Sequence, residues 1–281
     1  MWKVKLTEVL ISLNLITSVL DRLLPITKDV SSILHIHVDD VSLIEKSEKI
    51  VLKFLEDLNS KPKLKLKKQP NQHFRYTLIW KKDKNLINQS DLIEKLFQNN
   101  DMLLCKPVQT PCNHSFLQDI EEKSKVFKLT EYQKAVGLSS YLSQHTRAYI
   151  MFTINQLSQF STFPTFEHWT SLKHLLIYLK GTSKFNLINK STQPSSFISE
   201  LTGCADSDYA NAKEDLESVS GYLIQVYENT VCWLSKKQTV VSQYTTEEEY
   251  ISINICAKKI LWLTLVLKDL GQQIDKLTLF N

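Results

Sequence analysis

The sequence predicts an α+β fold, on three observations. Leu6, Val9, Leu10, Leu13, Ile16 and Leu20 recur at three- and four-residue spacing, the period of a helix with one buried face. Leu34, Ile36 and Val38 alternate with His35, His37 and Asp39, the period of a strand. The chain also has only 5 Gly in 281 residues and neither a G-x-G-x-x-G nor a Walker pattern, which argues against a glycine-rich phosphate cradle.

The elements follow in order. Residues 6–24 read as an amphipathic helix ending before Pro25, because Glu8, Ser12, Asn14, Thr17, Ser18 and Asp21 make them too polar to span a bilayer. A strand over 34–38 turns at Asp39-Asp40 into Val41–Ile44, and a helix over 45–58 follows. The alternating basic stretch 61–68 and Phe74–Trp80 suggest a small sheet, and Asn88–Phe97 a further helix. Pro107, Pro111, Asn113 and His114 mark a boundary near residue 115. Residues 130–160 and 164–180 read as two helices, and Asn189–Ser196 as a linker. Strands are expected at 201–206, 221–226, 230–235 and 239–242, then a helix from Glu247 to Leu270 stopped by Gly271.

Composition sets the class. Hydrophobic residues make up 43% and charged residues 23%, which is ordinary for a globular chain. The net charge of +4 permits a polyanionic partner without demanding one. Five scattered Cys with no C-x-x-C indicate neither a disulfide framework nor a zinc knuckle and fit a reducing compartment. No signal-peptide pattern occurs, so a cytoplasmic protein with no membrane partner is expected.

Adjacent carboxylates at a hairpin tip, Asp39 and Asp40, form a good turn, and they could also be half of a magnesium site. Asp206 and Asp208 share a strand face. Thr246-x-x-Glu249 reads as a capping box, a complete structural explanation for Glu249 from local pattern alone. Lys61, Lys63, Lys65 and Lys67 would line one strand face, and with Lys68 they form either a guarded solvated edge or a nucleic-acid contact together with Lys236 and Lys237. His35 and His37 lack a third ligand with zinc spacing, and no nucleophile-elbow sequence supports acyl transfer.

The order of motifs carries more than any one of them. His37-Val38-Asp39-Asp40 is similar to the Tyr-Val-Asp-Asp polymerase motif, after a Trp2-x-x-x-Leu6 segment. Lys106-Pro107-Val108-Gln109-Thr110-Pro111 is similar to Lys-Pro-x-x-Thr-Pro. Tyr132–Gly137, Thr146-Arg147, Asn155–Phe160, His168-Trp169 and Tyr178–Thr182 follow. Gly203–Ala210 is similar to Gly-Tyr-Ser-Asp-Ala-Asp-Trp-Ala, Ser220-Gly221-Tyr222 matches directly, Trp233–Gln238 is similar to Trp-x-Ser-Lys-Lys-Gln, and Thr245–Tyr250 to Ser-Thr-Glu-Ala-Glu-Tyr. Along nearly its whole length the chain resembles the reverse transcriptase and ribonuclease H portion of a copia-type retrotransposon Pol polyprotein.

The resemblance implies the end of a reverse transcriptase palm and a thumb over 1–115, a helical connection over 116–196, and an incomplete ribonuclease H-like α/β domain with a mixed sheet over 197–281. It implies an RNA–DNA hybrid as partner and two-metal magnesium chemistry, with Asp39 and Asp40 in the polymerase pair and Asp206 and Glu249 in the nuclease cluster. Glu247 sits one helical step too early for that role. The departures imply an inactive, truncated copy. His37 replaces the motif's Tyr, Ala148-Tyr149 stands where the family has Pro-Asp, and residues 68–80 barely match. The palm Asp expected upstream of Trp2 and the nuclease Asp expected after Asn281 lie outside the sequence, so the nuclease sheet is expected to lack its last strand-and-helix segments.

Overall fold

A computed structural model of the chain describes residues 15–18, 20, 25–27, 32–37, 40–45, 51, 70–73, 75–100, 102, 104–112, 128–191, 200–208 and 217–281. The chain divides into two compact units. One comprises Met1–Lys68, Ile198–Glu200 and Lys258–Leu277, the other Gln69–Phe197, Leu201–Ala257 and Thr278–Asn281. The boundaries expected near 115 and 196 both fall outside the described residues.

In the first unit, β1 (Leu15–Thr17), β2 (Pro25–Thr27), β3 (Ser32–His37) and β4 (Asp40–Glu45) form an antiparallel sheet in that order. Leu15, Ile26 and Leu34 are buried. The helix expected over 6–24 is therefore corrected at 15–17. Ile16 and Thr17 are β-branched and lose less side-chain freedom in a strand, and Ile16 pairs with Ile26. Of the helix expected over 45–58, Val51 is helical and Glu45 ends β4, while residues 46–50 and 52–58 lie outside the described residues.

The second unit holds an antiparallel sheet of β5 (Gln72–His73), β6 (Tyr76–Trp80), β7 (Lys84–Asn88) and β8 (Leu187–Lys190). The expected linker thus begins as strand, with Lys190 opposite Lys84. Helices α1 (Ser90–Gln98), α2 (Leu129–His145), α3 (Met151–Ser158) and α4 (Phe166–Gly181) surround a core that includes Ile93, Leu96, Tyr132, Leu142, Leu157, Leu172 and Leu176. The single helix expected over 130–160 breaks at Arg147, whose backbone leaves the helical region. Its buried guanidinium donates from Nη1 to the carbonyl of Thr182 at 2.8 Å and from Nη2 to that of Ser183 at 3.0 Å, just past the end of α4. A cation at a helix C-terminus complements its exposed carbonyls.

The Lys-Pro-x-x-Thr-Pro segment lies along α4. Lys180 Nζ donates to the Cys105 carbonyl at 2.7 Å, and His174 Nε2 contacts the Thr110 carbonyl at 3.0 Å. A Cβ on Gly181 would lie 2.9 Å from Pro107 Cβ, so this crossing requires glycine.

The C-terminal sheet runs β11 (Asn229–Lys237), β10 (Val219–Val226), β9 (Glu200–Asp208), β12 (Lys276–Phe280). β12 supplies a strand beside β9, so the strand carrying Asp206 is internal to the sheet. The strand expected at 239–242 is a bend instead. The Gln238 N–H donates to the Ser218 carbonyl at 2.8 Å, one step past the last ladder pair of Val219 with Lys237, and its side chain is buried. Helix α5 (Thr245–Asp269) ends at Gly271, which has φ 69° and so takes the left-handed position that closes a helix. By length and composition α5 is apolar enough to cross a membrane, a test that the core helix of a soluble protein also passes.

Within this unit α2 and α3 dock on the C-terminal sheet. Trp233 Nε1 donates to the Ser143 carbonyl at 2.7 Å, and Asn155 Nδ2 to that of Ser235 at 3.1 Å.

Candidate functional site

The expected site residues fare differently. Asp39 and Lys61, Lys63, Lys65, Lys67 and Lys68 lie outside the described residues. Asp40 opens β4 in register with His37, the hairpin that the alternation predicts. Lys236 is exposed on β11, whereas Lys237 is committed to an ion pair with Glu217 at 3.3 Å.

Asp206 and Glu249 belong to one locus. Asp206 lies near the end of β9, in register with Gly221 of β10, with its side chain exposed. Glu249 stands in the second turn of α5, half-buried. Ser252 of the same helix is fully buried, and its Oγ donates to the main-chain oxygens of Asp206 at 2.6 Å and Gly221 at 3.1 Å. This fixes the helix against the two strands at the height of Asp206. With its amide nitrogen turned toward them, Asn281 reaches Glu249 Oε2 at 3.0 Å and the Ala205 carbonyl at 3.3 Å. Glu249 is thereby tied to β9 at the residue before Asp206.

The capping role read for Glu249 belongs to Glu247. The helix starts at Thr245, and the Glu247 carboxylate accepts the Gln243 N–H at 2.9 Å, bonding back across the first turn. Glu249 is left to face β9 and Asn281.

Under this first turn lies a polar network that sequence reasoning missed. Gln238 Nε2 donates to Ser220 Oγ at 2.9 Å and to the Glu248 carbonyl at 3.2 Å, while its Oε1 accepts from Ser242 Oγ at 3.3 Å. Gln238 and Ser220 end and open two of the quoted motifs, so the signal was present as a match but carried no role. Glu248 is only 2% exposed, and its Oε2 is buried without a partner, as is Ser207 Oγ. Beyond it, burial pushes the Cys256 thiol up to about 11, with Cys204 and Cys232 adding to the effect. Burial likewise raises the Tyr222 phenol, whose oxygen lies 3.7 Å from Cys232 Sγ.

This donor set does not fit a pair of magnesium ions. It offers two carboxylates, one engaged by an amide N–H, and no group of three or more His, Cys, Asp or Glu comes together among the described residues.

No protein-family model matches the chain. It is 30% identical over 278 residues to the retrovirus-related Pol polyprotein from transposon RE2 of Arabidopsis thaliana, which covers 98% of this chain and 19% of that polyprotein. It is 30% identical over 248 residues to the corresponding polyprotein from transposon TNT 1-94 of Nicotiana tabacum, 85% of this chain and 18% of the relative. A shorter relative, the secreted RxLR effector protein 161 of Plasmopara viticola, is 36% identical over 137 residues, 49% of this chain and 94% of its own length. The chain spans about a fifth of the length of the polyproteins it matches. With the alignment spanning 98% of its residues at about 30% identity, the chain belongs to the retrovirus-related Pol polyproteins of copia-type transposons.

Proposed function

We propose that residues 197–281 are a ribonuclease H-type segment of such a Pol, with residues 1–115 the end of a reverse transcriptase and 116–196 its connection. In this reading the chain holds an RNA–DNA hybrid or a related nucleic acid without cutting or extending it. The observation that carries the reading is the placement of Asp206 on an internal strand of the sheet β11-β10-β9-β12, with Glu249 on the helix that Ser252 fixes to that strand. In the same reading Asp39 and Asp40 take the polymerase positions by their motif, and Asp40 lies in register with His37. Because the donor set is incomplete for two ions, no catalytic step is assigned.

The test uses the whole chain with magnesium and end-labelled hybrid and primer–template. Binding that weakens steeply as salt rises, with neither cutting nor extension, is the expected result. Cutting that disappears in Asp206→Asn would overturn the inactive reading. Absence of binding at low salt would overturn the nucleic-acid reading altogether.

A further inference from the structure

The sheet β5-β6-β7-β8 carries a row of like charges that the fold itself does not use. Lys84 of β7 lies directly opposite Lys190 of β8. On its other side the β6–β7 ladder runs to the pair of Trp80 with Asn85, and one residue further the Lys81 N–H donates to the Lys84 carbonyl at 3.0 Å, so Lys81 continues the register. Residues paired across neighbouring strands share a face of the sheet. Lys81, Lys84 and Lys190 therefore stand in one line across three strands, with about 4.8 Å from each strand to the next.

Like charges directly opposite one another destabilise a strand pair. Two such pairs adjoin here, and little within the chain offsets them. Among the described residues neither Lys81 nor Lys84 has a side-chain hydrogen bond or ion pair. Lys190 meets Glu228 at 3.7 Å, but both side chains are more than half exposed, where an ion pair contributes little. The next row on the same face is Ile79, Leu86 and Ile188, and it leaves the face open to solvent, with Ile79 40% and Ile188 47% exposed. A single carboxylate or phosphate would engage part of the lysine row and leave the rest unpaired. A nucleic-acid strand repeats its phosphate along a line, and lysine meets phosphate as a point charge with no demand on the base. An anionic lipid surface offers similar chemistry but meets a hairpin at its tip, and this tip, Lys82-Asp83, has no net charge.

The geometry points to Lys81, Lys84 and Lys190 as a phosphate-backbone contact, a sequence-independent grip on one strand of the bound nucleic acid. This inference rests on the nucleic-acid reading proposed above. It adds where the backbone is held, on a sheet that carries neither Asp206 nor the lysines of β11.

Salt titration of the full chain's affinity for a dye-labelled RNA–DNA hybrid, read by fluorescence anisotropy, tests it. The triple variant Lys81→Gln, Lys84→Gln, Lys190→Gln should lower the slope of log affinity against log salt by about 2 to 3, at roughly 0.7 to 0.9 per phosphate contact, and weaken binding by roughly tenfold or more at about 0.1 M salt. A control that removes the same charge from exposed lysines of α1, α2 and α5, Lys95→Gln, Lys134→Gln, Lys268→Gln, should keep the slope of the parent. The triple Lys→Arg variant of the row should bind as the parent does, because the contact needs charge. With its like charges removed, the glutamine row should melt at or above the parent temperature. If it melts lower, Lys81→Gln alone, at the exposed start of the turn, still has to lower the slope by about 0.7 to 0.9. Equal slopes for parent and row variant, or an equal fall in the control, would overturn the contact while hybrid binding persists. Binding to phosphatidylserine vesicles that depends on the row, with hybrid affinity unchanged in the row variant, would overturn it in favour of a lipid surface. Failure of the parent to bind the hybrid at low salt would remove the nucleic-acid reading and this contact with it.

Discussion

Ser252 Oγ and the main-chain oxygen of Asp206 lie 2.6 Å apart, and the same hydroxyl reaches the Gly221 oxygen at 3.1 Å. One serine thus sets the height of α5 on two paired strands and decides where Glu249 stands along β9. Ser252→Ala should cost about 1 kcal/mol, the net worth of a buried hydrogen bond. In urea titrations the midpoint should fall with an unchanged slope. An unchanged midpoint would show that the helix is placed by apolar packing alone.

Glu248 stands where the resembled motif has alanine, and it is buried with one carboxylate oxygen unpartnered. Gln238 holds only its backbone carbonyl, a bond that survives any side-chain change. Glu248→Ala should therefore stabilise the protein by about 1 to 3 kcal/mol, the penalty of an unsatisfied buried polar group. A higher midpoint in denaturant is the expected outcome. A lower one would mean that the carboxylate makes an interaction worth more than its burial costs.

Arg147 is 1% exposed, and its Nη1 donates to the Tyr149 hydroxyl at 2.6 Å. Its remaining partners are carbonyls, so the phenol is the one side chain in this set. Tyr149→Phe should destabilise by about 1.5 to 3 kcal/mol, the range for hydrogen bonds to charged groups. Thermal unfolding checks this, and a shift no larger than that of an exposed Tyr→Phe control would assign Arg147 wholly to the end of α4.

The sequence made some of this legible for definite physical reasons. Clean alternation at Leu34–Val38 marks β3 because a half-buried strand has a strict period of two. Gly271 marks the end of α5 because a left-handed residue there favours glycine. Asp206 and Glu249 were reached through motif order and not through chemistry visible at either residue. What stayed hidden depends on distant partners. The break at Arg147 is set by Thr182 and Ser183, some 35 residues onward, and the strand at Leu15–Thr17 by pairing with Pro25–Thr27, which its helical spacing masks. Glu247 rather than Glu249 caps α5 because the helix begins at Thr245, two residues before the start expected at Glu247.

His168 gives the chain a titration that can be signed. Its Nδ1 accepts the Thr165 N–H at 2.9 Å, closing the capping box of α4, and its ring stacks on Phe160 at 3.8 Å. Burial lowers its pKa below the ordinary 6.5, with Glu167 opposing weakly. The imidazole is thus neutral in the folded state at pH values where the unfolded chain would take up a proton. Between the folded value and about 6.5 the unfolded state binds more protons, so stability rises with pH in that window and is lost as pH falls through it. The slope can reach about 1.4 kcal/mol per pH unit for one proton. In His168→Gln the amide oxygen can still accept the Thr165 N–H but cannot titrate. Denaturant midpoints measured from pH 7.5 down to 5.5 should fall for the parent and fall less for the variant. Parallel curves would show that the acid sensitivity arises elsewhere.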